Sequence, residues 1–225
     1  MTINELKQIQ LYRQHITNKT DKISVLCHLN GLQCQFMMNA YNALRMRCNE
    51  QITVENFGEG LVKNWTVRGT VHIFAEQDLP LFKYKDNESD YLSKQWKGYA
   101  DRITKEWMLL PERQSFFADF IIEKVRDGVC AREDLKIACR ENGMTKIELD
   151  CMFDSWGGGM RELCERGFLN YKVQEKKEFE ICKPFLPEKT NEALLEQARR
   201  YFTHLAPATI KDTAYYFGWT QIQAK

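Results

Sequence analysis

The sequence contains eight cysteines, and their spacing shows whether they could bind a metal ion or form disulfides. No two of them form a CxxC pair, and Cys27-His28 is the one place where a cysteine and a histidine adjoin. Neighbours in sequence rarely ligate one metal ion, and structural zinc sites use ligand pairs with roughly two to four residues between them. We therefore expect no metal site and scattered reduced thiols: Cys27, Cys34, Cys48, Cys130, Cys139, Cys151, Cys164 and Cys182.

A row of polar side chains in residues 64–73 is a second candidate for chemistry. Polar residues occupy the even positions of this stretch, which predicts a β-strand, with Gly69 allowing a bend or a hairpin turn. Arg68, Thr70 and His72 would share one face, which either binds phosphates or is a solvated strand face where His72 bonds a neighbouring backbone group. His72 is also a candidate general acid, although nothing in the sequence sets its pKa.

Basic side chains recur in the second half of the chain. Two lie in a predicted helix at about 146–166, and three lie in the predicted hairpin that follows: Lys146, Arg161, Lys172, Lys176 and Lys177. A basic hairpin holds phosphates and positions a nucleic acid without reading its sequence. The alternative is a solvated, charge-balanced hairpin, because acidic residues alternate with the lysines: Glu175, Glu178 and Glu180.

Two similar sets of elements must position these residues. Helical spacing precedes the strand signal of 64–73 in four stretches: 4–17, 22–30, 36–46 and 53–59. The plan recurs before a hairpin at 167–182, in helices at 113–127, 131–142 and 146–166, the last interrupted at Gly157-Gly158-Gly159. Helices followed by a hairpin predict winged-helix units, and hence a mainly α fold with small β-hairpins (α+β).

The predicted domains follow this repeat. They are a first winged-helix unit at 1–80, a linker helix at 81–110, a second winged-helix unit at 111–186, and the start of an incomplete third unit at 187–225. The aromatic residues of 82–107 either join two domains or stack unpaired bases.

Composition describes an ordinary folded protein, with 44% hydrophobic and 28% charged residues. The net charge of +1 is lower than is usual for a nucleic-acid binder, but phosphate binding depends on where the charges lie. No apolar run is long enough to span a bilayer, and residues 1–5 lack the pattern of a secretory signal. We expect a cytoplasmic protein, with a monomer favoured.

Four stretches together resemble the AlkZ-type winged-helix DNA glycosylases, which include the YcaQ/AlkX branch: Gly31–Gln35, Leu61–Ala75 with Asp78-Leu79, Trp156–Gly167 and Pro207–Ala214. The resemblance implies three tandem winged helices around a DNA-sized channel. It also implies hydrolysis of the N-glycosidic bond of N7-alkylated purines, in some members within interstrand crosslinks. The family's catalytic signature, Gln-x-Gln or Gln-x-Asp, maps onto Gln33 and Gln35. Cys34 stands where a larger aliphatic residue is usual.

A shared catalytic role for Gln33 and Gln35 requires a particular backbone conformation. Residues i and i+2 share a side only in an extended chain, so Gln33 and Gln35 require an extended segment or a helix boundary, which Gly31 favours. Glutamine does not titrate, so neither amide is a general base. Both can hold a water molecule and stabilise an oxocarbenium-like sugar if the leaving base is already cationic. The alternative is that both are the polar side of a loop.

The leading hypothesis is therefore a monofunctional DNA glycosylase, acting on double-stranded DNA with alkylated bases and associated with the nucleoid when bound. A non-catalytic winged-helix DNA-binding protein or regulator is the alternative, and a protein-interaction module is the third. No motif for a nucleotide, flavin or metal is present, so we expect no cofactor. No lysine is placed for a Schiff base, so we expect no lyase step.

Overall fold

The computed structural model describes residues 2–66, 68–83, 109–155 and 157–225. In chain order its helices and strands are α1 (Ile3–Arg13), α2 (Lys22–His28), β1 (Leu32–Gln33), α3 (Met37–Arg47), β2 (Leu61–Trp65), β3 (Val71–Ala75), α4 (Leu79–Phe82), α5 (Pro111–Arg126), α6 (Arg132–Glu141), α7 (Lys146–Met152), α8 (Gly158–Glu165), β4 (Leu169–Tyr171), β5 (Phe179–Ile181), α9 (Thr190–His204) and α10 (Ile210–Phe217). The predicted α+β fold class is confirmed.

The chain divides into two compact units. The first contains Met1–Tyr84, Val173–Glu175 and Phe185–Lys225, and the second contains Lys85–Lys172 and Lys176–Pro184. Most of the linker helix predicted at 81–110, residues 84–108, lies outside the described residues, as does Trp156. Among the described residues, no helix has both the length and the hydrophobicity needed to cross a membrane.

In the first unit, a small antiparallel sheet carries the segment of interest. Strand β3 pairs with β1 on one side and with β2 on the other. Helix α2 packs its buried Val25 and Leu26 into the same core as Ile73 of β3. The Asp21 carboxylate starts α2 by accepting from the Ser24 backbone N–H at 2.8 Å, a typical N-cap contact.

The hairpin turn that Gly69 allows within residues 64–73 is confirmed, because β2 ends at Trp65 and β3 begins at Val71, with Gly69 in the turn between them. The helix predicted at 53–59 is wrong, because these residues form turns. There Thr53 and Asn56 exchange side-chain to backbone hydrogen bonds, and such local bonds compete with helical ones.

The C-terminal helices α9 and α10 belong to the first unit, where α9 contacts α2 and α4. Arg200 of α9 forms a bidentate ion pair with the buried Asp78, with N···O distances of 2.7 and 3.0 Å. Gln197 donates from its side-chain amide to the Leu81 carbonyl at 2.7 Å. These contacts fix α9 against α4 and the turn that leads into it.

The second unit has the helix, helix, helix, hairpin order that the sequence predicts. Thr145 and Glu148 form a reciprocal capping box at the start of α7. The long helix predicted at 146–166 is split into α7 and α8 at the glycines, as expected. Strands β4 and β5 form the hairpin, and Ala131 adds a single antiparallel bridge to Glu178.

Candidate functional site

Gln33 is the last residue of β1, and Gln35 lies in a bend just before α3, so the two glutamines stand at the boundary between a strand and a helix. Gln33 lies opposite His72 in the β1–β3 pairing, and the Cys34 backbone N–H donates to the Val71 carbonyl at 2.8 Å. Gln33 and Gln35 are exposed while Cys34 is fully buried. Both glutamines are thus accessible to solvent.

Gly31 lets this segment approach β3 closely. Its φ is +80°, and a Cβ built there would lie 2.7 Å from the Ile73 carbonyl oxygen. No L-residue fits that space without moving the backbone. The Gly31 backbone N–H donates to the Leu26 carbonyl at 2.8 Å, which joins the end of α2 to the start of β1.

Cys34 is a core residue between the two glutamines. Its side chain is fully buried, and its Sγ lies 3.3 Å from the Met37 Sδ. Burial raises the pKa of Cys34 to about 11, so the thiol is protonated at neutral pH and is not a nucleophile. All eight cysteines carry free thiols.

The buried His72 ring bonds the Thr70 backbone through one nitrogen and the Arg68 side chain through the other. Its ring Nδ1 lies 2.9 Å from the Thr70 carbonyl oxygen, and its Nε2 lies 3.1 Å from Arg68 Nη1. Because a guanidinium only donates, Nε2 accepts and the ring proton lies on Nδ1. Burial, followed by the Arg68 charge, lowers the pKa of His72 to about 4. His72 is therefore neutral at neutral pH and holds no proton for a general acid.

This arrangement corrects the expectation of a solvated strand face for residues 64–73. The predicted backbone bond of His72 is present, but its face is buried rather than solvated. Arg68 and Thr70 lie in the turn before β3 and not on a strand. Arg68 is exposed, and its guanidinium carbon lies 4.7 Å from the centre of the Tyr216 ring, within cation–π range.

Two residues of this site were missed by sequence reasoning. Asn64 is fully buried and lies opposite His72 on β2, so Gln33, His72 and Asn64 form one row across the three strands. The alternation of 64–73 contained that signal, since it placed Asn64 and His72 on one face. Tyr216 comes from α10, and no local spacing connects it to Arg68.

The basic residues of the second unit fall into two groups. Arg161 and Lys172 are in ion pairs, with Glu165 at 2.8 Å and Glu178 at 3.1 Å. Lys146, the first residue of α7, and Lys176 and Lys177, between β4 and β5, are exposed. The charge-balanced hairpin is thus the better description for Lys172, while the other three lysines present their charge to solvent.

Comparisons with known proteins address the family. A model of the family described as "DNA glycosylase AlkZ-like" matches residues 26–225. The structure is similar to the Streptomyces sahachiroi DNA glycosylase AlkZ, with a TM-score of 0.68 and 18% sequence identity. That match covers 94% of this chain and 59% of the other, so this chain spans about three fifths of that protein's length. No curated protein sequence matches the chain.

Proposed function

The chain belongs to the AlkZ-like DNA glycosylase family, and we propose that it hydrolyses the N-glycosidic bond of N7-alkylated purines in double-stranded DNA. The observation that carries this proposal is the exposure of Gln33 and Gln35 on either side of the buried Cys34. A residue pair that is merely the polar side of a loop does not need a glycine-dependent close approach to β3. Both side chains are accessible to solvent, as a role in contact with DNA requires.

The chemistry follows from what an amide lacks. Glutamine has no titrating proton, and His72 is neutral and buried, so none of these three residues supplies a general acid or base. An N7-alkylated purine already carries a positive charge and leaves with the bonding electron pair as a neutral base. The amide oxygens of Gln33 and Gln35 stabilise the resulting oxocarbenium-like sugar and orient the water that adds to it. That water releases one proton to solvent.

The same reasoning extends to interstrand crosslinks made through purine N7, because each linked purine carries the same positive charge. An undamaged base is a poor substrate for this site. Its departure needs protonation, which two amides do not provide.

In this proposal, basic side chains bind the DNA through its phosphates and so do not read the base sequence. Arg68 is exposed and is oriented by both His72 and Tyr216, which lowers the entropy cost of contacting a phosphate. Lys146, Lys176 and Lys177 supply further phosphate contacts from the second unit. Arg161, Lys172 and Thr70 contribute less, because the two cations are already paired and Thr70 is half-buried.

A phosphate role for Arg68 is tested by the salt dependence of DNA binding. Arg68→Gln is expected to weaken binding to any duplex and to reduce the slope of log K against log salt by about 0.9, the value for one phosphate contact. Arg126→Gln, at an exposed arginine in the last turn of α5, is the control and is expected to leave the slope unchanged. An unchanged slope in Arg68→Gln refutes the contact.

The catalytic role is tested by base release from a duplex carrying one N7-methylguanine. Release by the parent chain, with a loss of at least about tenfold in Gln33→Ala or Gln35→Ala, supports the proposal. Gln8→Ala, at an exposed position of α1, is the matched control and retains the parent rate. Release that survives both site variants refutes the assignment of these residues, and duplex binding without release supports a non-catalytic DNA-binding protein.

A further inference from the structure

Three of the four histidines in the chain meet at one place in the first unit. His15 follows α1, His28 ends α2 and His204 ends α9. The His15 Nε2 and the His28 Nδ1 are 2.9 Å apart, and the rings of His28 and His204 have centroids 4.1 Å apart. One ring nitrogen from each residue lies within 4.8 Å of the other two.

We propose that His15, His28 and His204 form a binding site for a divalent transition-metal ion, with Zn²⁺ as the expected occupant. Imidazole nitrogen is a preferred ligand of zinc, copper and nickel. Two nitrogens bound to one tetrahedral zinc ion at about 2.05 Å are roughly 3.3 Å apart, close to the 2.9 Å between His15 and His28. Three histidines and one water molecule complete a tetrahedral site.

The outer hydrogen bonds already suit such a site. The His15 Nδ1 lies 3.0 Å from the Asn18 carbonyl oxygen, and the His204 Nδ1 lies 3.4 Å from the Arg13 carbonyl oxygen. A carbonyl accepts only, so each Nδ1 carries the proton and each Nε2 presents a lone pair. Metal-binding histidines usually make this second bond, because it sets the tautomer and the ring orientation.

His28 is the residue that must change on binding. Its Nδ1 faces the His15 Nε2, so it donates to that nitrogen in the metal-free form. An ion replaces that proton, which moves to the His28 Nε2 or to solvent. The rings of His28 and His204 are also nearly parallel, at 9°, and a metal ion lies in the plane of each ring that it binds. Both side chains are only partly buried, which leaves room for one ring to rotate.

Neighbouring charges do not prevent binding of a cation. Arg199 and Arg200 lie close enough to affect the histidines electrostatically, but each is paired with a carboxylate. Arg200 contacts Asp78 and Glu196, and Arg199 contacts Glu196.

The ion would tie three parts of the first unit together: the segment after α1, the end of α2 and the end of α9. None of the three histidines belongs to the Gln33 and Gln35 site. The proposed metal site therefore stands or falls independently of the proposed glycosylase activity.

The test is metal binding by the full chain, purified without a histidine tag. Titration with Zn²⁺ by calorimetry is expected to show one equivalent bound. Co²⁺ is expected to give visible d–d bands of a nitrogen-ligated site without the near-ultraviolet band of a cobalt–thiolate bond. His15→Asn, His28→Gln and His204→Gln should each weaken Zn²⁺ binding by at least about tenfold. Asn is chosen for position 15 because its φ is +62°, a conformation that Asn tolerates.

Cys27→Ser is the matched control, since Cys27 adjoins His28 and thiols also bind zinc. It is expected to leave Zn²⁺ affinity unchanged. The proposal is overturned if the folded parent binds no Zn²⁺, if the Co²⁺ complex shows a thiolate band, or if folded histidine variants bind Zn²⁺ as tightly as the parent. The Co²⁺ spectrum needs no variant, so an unfolded mutant does not affect that arm.

Discussion

Replacing Gly31 by alanine should show how tightly the Gln33-Cys34-Gln35 segment is held against β3. Two costs add. A non-glycine residue at φ +80° costs about 1–2 kcal/mol. The new Cβ would also lie 2.7 Å from the Ile73 carbonyl oxygen, and relieving such overpacking costs about 1–3 kcal/mol. We expect the free energy of unfolding to fall by about 2–5 kcal/mol.

Gly218→Ala is the control that separates these two costs. Gly218 belongs to the same unit and has a φ of +68°, and the Cβ of an alanine at this position would have no atom within 4 Å. It should lose only the backbone contribution of about 1–2 kcal/mol. The assay is urea unfolding at constant pH, together with base release from N7-methylguanine DNA. If Gly31→Ala costs no more than Gly218→Ala and keeps the parent rate of release, the close approach does not position the glutamines.

Three further substitutions test how ionisable residues in or near the core contribute to the free energy of unfolding. The pKa of His72 is about 4 in the folded state and about 6.5 in the unfolded state, so between these values the unfolded state binds more protons. The free energy of unfolding should therefore fall by up to about 3 kcal/mol as the pH is lowered from 6.5 to 4. A His72→Asn variant should lack this loss in urea unfolding, and a pH profile parallel to that of the parent would contradict the burial of His72. Arg200→Met removes the ion-pair partner of the buried Asp78 and should lower the free energy of unfolding by about 3 kcal/mol. A loss below about 1 kcal/mol would mean that the Arg200–Asp78 ion pair contributes no more than a solvent-exposed ion pair does. The hydrogen bond from Arg113 lowers the pKa of the Glu148 carboxyl to about 2. The stability that this carboxylate provides is therefore present above pH 4.5 and is lost as the pH falls toward 2. Glu148→Gln should make the free energy of unfolding less dependent on pH across that range, and an unchanged pH dependence would refute a stabilising role for the Arg113–Glu148 pair.

Local sequence patterns predicted most of the second unit because its signals are local. Thr145 and Glu148 are three residues apart, as a capping box requires, and the glycines after Trp156 interrupt the helix where expected. In α5, Phe117 and Ile121 are buried, whereas Phe116 is 54% exposed. A helix with three neighbouring phenylalanines does not reveal from its period alone which ring faces solvent.

The candidate site was less predictable, because its parts come from distant segments. An extended segment or helix boundary at residues 33–35 could be expected from the glycine at position 31, but the burial of His72 depends on pairing with both β1 and β2. The Arg68–Tyr216 contact joins residues far apart in the chain. The same is true of the three histidines, whose positions 15, 28 and 204 share no ligand spacing. The expectation of no metal site rested on spacing alone and had no access to this tertiary contact.

The measurement that tests the central claim most directly is single-turnover base release from two duplexes that differ only in the charge of one methylated purine. One carries N7-methylguanine, which is cationic, and the other carries O6-methylguanine, which is neutral. If catalysis depends on the amides of Gln33 and Gln35 and not on protonation of the leaving base, the protein should release N7-methylguanine and leave O6-methylguanine in place, with release lost in Gln33→Ala and Gln35→Ala. Release of both bases at similar rates, or release that does not depend on either glutamine, would contradict the account.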